Sequence, residues 1–77
     1  MVIYPNPVKD VLYLQLSTIG AKGKWSVSIF SLDGRLVRTL DGYNCYEPII
    51  VSDLATGMYV VRIISPSSVN VGRFIHQ

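Results

Sequence analysis

Seventy-seven residues make one small domain, of the size that buries only about 60% of its unfolded surface and leaves little core to enclose a deep pocket. At 49% hydrophobic and 16% charged the chain is too apolar for a disordered tail, and its longest apolar runs, around Pro48–Val51 and Met58–Ile64, are strand-sized. A net charge of +2, with bases scattered singly from Lys9 to Arg73, is no nucleic-acid footprint, and one cysteine, Cys45, excludes an intrachain disulfide or a multi-cysteine metal site.

Val2-Ile-Tyr4 reads as a short edge strand closed by Pro5-Asn6-Pro7, because each proline fixes its own φ and biases its predecessor toward extended geometry. The chain opens abruptly on strand residues with no linker before them, so Met1 is expected to begin an excised fragment and residues 1–77 to be a C-terminal domain; Met1-Val-Ile-Tyr-Pro5 has neither the basic nor the apolar region of a secretory leader. In Val11–Leu16 the alternation sets Leu12, Leu14 and Leu16 on the core face. A loop with Gly20, Gly23 and the pair Lys22 and Lys24 leads into Trp25–Phe30, where Trp25, Val27 and Ile29 face inward. Asp33-Gly34 then predicts a hairpin.

The return strand Arg35–Leu40 is expected to end at a second Asp-Gly, Asp41-Gly42. Its register leaves two faces open; Val37 is favoured inward, with Leu36 and Leu40 near the sheet margin, because Arg38 is costly to bury. Tyr43 to Tyr46 bridges to a strand over Glu47–Val51, with Pro48 near its start where a missing N–H does least harm. The turn Ser52–Thr56 feeds Gly57–Ile64, in which Tyr59, Val61 and Ile63 alternate with Arg62. Leu54, Gly57 and Tyr59 have the spacing of the tyrosine corner of immunoglobulin-like sandwiches, with Gly57 supplying φ > 0 and the Tyr59 hydroxyl bonding backbone upstream. After Ser65–Ser68 a last strand covers Val71–His76. The whole pattern predicts an all-β fold, an immunoglobulin-like antiparallel β-sandwich of about seven short strands.

Little catalytic chemistry is written in the chain. His76 is placed at an exposed strand end, Cys45 reads as a structural thiol, Asp33 and Asp41 are explained by turn chemistry, and Asp10 and Asp53 sit at strand boundaries without a partner in sequence. No phosphate loop, zinc spacing or calcium loop is present, so the domain is expected to be non-enzymatic and to need no cofactor. A tryptophan beside two lysines suggests a stacking platform for a base or a sugar, but a core role for Trp25 is the better reading.

Four stretches in series, Ile3–Pro7, Val27–Val37, Leu54–Val61 and Arg73-Phe74-Ile75, resemble the C-terminal sorting domain of the type IX secretion system over nearly the whole chain. The resemblance implies an immunoglobulin-like domain at the end of secreted proteins of Bacteroidetes bacteria. It implies passage through the periplasm to the outer membrane, cell surface or medium, with outer-membrane translocon and shuttle proteins and a sortase-like protease as partners. Many members carry a lysine in the last few residues, where this chain has His76 and Gln77, with Arg73 the nearest basic residue. Neither nucleic acid nor direct membrane insertion is expected. The surface expected to be read by partners is the terminal strand, Arg73, Phe74, Ile75, His76 and Gln77, with Pro5, Asn6, Pro7, Asp33 and Gly34 as the other exposed family-like positions. An edge strand there invites strand addition by a partner, or an edge-to-edge dimer. The competing function is a cell-surface binding or spacer module of the same fold.

Overall fold

The computed structural model describes residues 2–15, 25–43, 47–65 and 69–77, and within them the chain forms strands and no helix. In chain order these are β1 Val2–Tyr4, β2 Val11–Gln15, β3 Trp25–Ser31, β4 Leu36–Tyr43, β5 Ile49–Ile50, β6 Gly57–Ile64 and β7 Val69–His76. Two sheets result, one of three strands in the order β1-β2-β5 and one of four in the order β4-β3-β6-β7, with every strand pair antiparallel. This is the immunoglobulin-like sandwich that the strand spacing predicts. Leu16, Lys22, Lys24 and Cys45 lie outside the described residues.

The two-residue period decides what fills the space between the sheets. Leu12 and Leu14 from β2, Trp25, Val27 and Ile29 from β3, and Tyr59, Val61 and Ile63 from β6 are all buried, as the alternation requires. Each such aliphatic side chain contributes about 1.5–3 kcal/mol when fully buried, which in a domain this small is a large share of net stability. The turn into β6 is a tyrosine corner: the Tyr59 hydroxyl donates to the Ala55 carbonyl, and Gly57 takes a φ of 151° in open space. Backbone conformation, not crowding, therefore demands the glycine.

β4 departs from expectation. It does not end at Asp41-Gly42 but runs through it to Tyr43: Trp25 pairs with Tyr43 and Val27 with Leu40, so β4 carries one residue more than β3 over that interval. Gly42, with φ 70°, accommodates the surplus as a bulge. An Asp-Gly pair offers positive φ to a bulge as readily as to a hairpin, and only the pairing partner distinguishes them. A second irregularity falls between Ile29↔Arg38 and Phe30↔Leu36, at Val37. Alternation is reset there, so Val37 and Leu40 both pack on the core while Leu36 is turned out. Tyr43, expected in a bridge, is instead a buried residue packed on Trp25, with ring centroids 6.4 Å apart, and its hydroxyl donates to the Glu47 carbonyl.

Arg38 is half-buried, and it closes the side of the sandwich. Its Nη1 donates to the Ile50 carbonyl at 2.9 Å and its Nη2 meets both oxygens of Asp53, at 2.8 and 2.6 Å. Asp53, without a partner in the sequence reading, is thus the anion that makes burial of the Arg38 stem tolerable. The guanidinium beside it holds the Asp53 carboxyl below its ordinary range.

Candidate recognition surface

β7 is the last strand of the four-stranded sheet and pairs with β6 along its whole length, from Ile64↔Val69 to Gly57↔His76. Because Phe74 pairs with Tyr59, it shares the inward face, and the two rings stack with centroids 5.4 Å apart. The same parity sends His76 inward. It is 5% exposed and not at an exposed strand end, because its ring lies against the Val8–Lys9 segment with Nε2 2.7 Å from the Lys9 carbonyl. A carbonyl only accepts, so Nε2 carries the proton; Nδ1 is buried without a partner among the described residues.

The end of this strand is not an open edge. Tyr4–Pro5 and Asn6–Pro7 are cis peptide bonds, and after them the chain leaves the first sheet and runs parallel to β7 at Val8↔His76. The Ile75 N–H donates to the Asn6 side-chain oxygen at 3.0 Å, the Val8 N–H to the Ile75 carbonyl at 2.8 Å, and the Gln77 N–H to the Val8 carbonyl at 2.8 Å. Val8 itself is fully buried. Pro5, Asn6 and Pro7 are exposed, so the corner and the terminal strand form one continuous surface.

On the outer face, Val69, Val71, Arg73 and Ile75 of β7 stand beside Ile64, Arg62, Val60 and Met58 of β6. Val69 and Val71 are 61% and 63% exposed, and Ile75 is 42% exposed. Arg62 lies over the Phe30 ring, 5.0 Å from its centroid, whereas Arg73 makes no ion pair with any described residue. Asn6, Met58, Arg73, Phe74 and Ile75 line a cleft of about 330 Å³ at the end of this face.

The Asp33-Gly34 hairpin forms as predicted, with the Gly34 N–H donating to the Ser31 carbonyl at 2.9 Å and Gly34 at φ 87°. Ser31 Oγ donates to the Asp33 carboxylate, which holds that carboxyl below its ordinary range. Since Ser31 pairs with Tyr59 and Gly57 with His76, the hairpin lies at the same end of the sheet as the terminal strand, with β6 between them. Trp25 is buried and has no face to offer a glycan.

The family model described as the secretion system C-terminal sorting domain matches residues 2–77. The chain belongs to that family. No curated protein matches it significantly. As a type IX sorting domain it carries its family-like residues in two kinds of place: Gly57 and Tyr59 build the sandwich, while Asn6, Arg73 and Ile75 meet at one surface. Among the described residues no group of three or more His, Cys, Asp or Glu could hold a metal ion, and no helix is long and apolar enough to cross a membrane. Sequence reasoning missed Val8, a lone apolar residue after the prolines with no period to mark it, and the Arg38–Asp53 pair, which joins β4 to the turn before β6 across 15 residues.

Proposed function

We propose that this sorting domain acts as a non-enzymatic address at the C-terminal end of a parent protein. It directs that protein through the periplasm to the outer-membrane secretion machinery of the type IX system, and thence to the cell surface or medium. The observation that carries this reading is the family match over residues 2–77. A sortase-like protease cuts the parent just before β1, and the outer-membrane translocon and shuttle proteins read the surface where β7 meets the Pro5-Asn6-Pro7 corner.

The location of Phe74 and His76 in the core governs how this is tested. Deleting residues 74–77 would remove the packing of β7 along with any signal, so a failure of export would follow from unfolding alone. Surface substitutions avoid this. A reporter fused ahead of the domain in a type IX-competent cell should reach the medium or surface less efficiently with Arg73→Glu or Ile75→Lys, while the isolated variants unfold at nearly the wild-type denaturant concentration. Undiminished export of both variants would remove β7 as the recognition element and leave the Asp33-Gly34 hairpin as the next surface to probe.

A further inference from the structure

Resting on that export reading, we propose that the stretch of β7 from Val69 to Arg73, with the cleft at its end, is a docking site for one extended, apolar segment of a partner protein that carries a carboxylate. The backbone sets the first requirement. Ile75 directs both its N–H and its carbonyl away from β6, toward Asn6 and Val8, and Gln77 directs its N–H the same way. By the two-residue period of a strand, Val69, Val71 and Arg73 direct theirs off the sheet as well, and no described residue pairs with them. An extended segment laid along this edge gains main-chain hydrogen bonds, and its alternate side chains fall beside Val69 and Val71.

The stopping point is built in. Beyond Arg73 the outward backbone positions are taken by Asn6 and Val8, so an added strand must end there, at the mouth of the cleft lined by Asn6, Met58, Arg73, Phe74 and Ile75. That cleft suits an apolar side chain at the end of the segment. Charge supplies the remaining requirement: β6 and β7 together hold two arginines and no acid, and with Arg62 stacked on Phe30 it is Arg73 that stands without an anion among the described residues. A second copy of β7 would bring no carboxylate, and a basic partner would be repelled.

The test uses the 77-residue chain, isotopically labelled, titrated with a short end-blocked peptide alternating valine and threonine with one glutamate, and with the same peptide bearing lysine instead. Saturable amide shifts should centre on Val69–Arg73 and Met58, with the lysine peptide binding about tenfold more weakly. Arg73→Glu should invert that preference. Val71→Pro removes an N–H that points off the sheet and should abolish binding while the other amide resonances stay native. Equal binding of the two peptides, shifts centred on β1 or β4, or concentration-dependent shifts of the same amides without peptide, which would mark a second copy as the occupant, would each overturn the proposal. The reporter fusion separates the two levels. Selective peptide binding with undiminished export of Arg73→Glu would keep the docking site and remove its role in export; lost export without peptide selectivity would overturn the docking site alone.

Discussion

The Tyr43 hydroxyl donates to the Glu47 carbonyl at 2.7 Å, four residues downstream, and so pins the end of β4 to the segment that enters β5. Tyr59 makes the opposite arrangement, donating to Ala55 four residues upstream at the entry to β6. Each phenol packs its ring in the core and satisfies its one polar atom with a backbone carbonyl four residues away. Tyr43→Phe and Tyr59→Phe should each therefore cost about 1 kcal/mol, the usual net worth of one hydrogen bond. Urea unfolding with an unchanged m-value measures this, and a midpoint shift within error would mean that water serves the hydroxyl equally well.

Phe74→Ala should be far more damaging, by about 3–5 kcal/mol, because it removes the ring stacked on Tyr59 and leaves a cavity between the sheets. For a domain of this size such a loss approaches the whole stability. Circular dichroism should show a chain largely unfolded at 37 °C; a cooperative transition within 1 kcal/mol of wild type, on the scale of a tolerated core swap, would contradict the packing described.

Asn6→Ala removes the oxygen that accepts from the Ile75 N–H and leaves the β6–β7 ladder intact. Hydrogen exchange should therefore accelerate at the Ile75 amide, with the amides of Phe74 and His76, which face β6, changed much less. Uniform acceleration across β7 would show that the corner supports the whole strand and not one bond.

The Arg38–Asp53 pair makes stability pH-dependent on the acid side. The folded-state carboxyl of Asp53 lies below its ordinary value of 3.8, so the pair contributes fully above that value and is lost as the pH falls through the lower folded-state value. Thermal melts should show a steeper loss below about pH 4 for the wild type than for Asp53→Asn, whose melting temperature starts lower at neutral pH. Parallel acid profiles for the two proteins would show that solvent screening cancels the contact.

Most of the strands were legible because each buries one face, and Leu12, Leu14, Val27, Ile29, Val61 and Ile63 announce that by alternation. β4 was legible as a strand with Val37 inward, but not in its extent, since its two bulges break the period that reveals the other strands and Asp41-Gly42 has the same composition as a true turn. Pro5-Asn6-Pro7 reads correctly as a corner, but nothing local says that Asn6 and Val8 will seal the edge of a strand near the other end of the chain. His76 was misplaced for the same reason: its burial depends on Lys9, 67 residues away, and not on its neighbours in sequence.

Because the segment at Val8 bonds to the strand that comes last, the domain cannot be completed in the order in which it is made. Val8 and Lys9 are made well before Ile75 and His76 and must wait for them before these backbone groups find partners. Closing so long a loop is entropically the latest and slowest kind of contact to form. A polypeptide cut short anywhere before β7 lacks both Phe74 and the partner of Val8, so the finished sandwich requires every strand of the domain through β7.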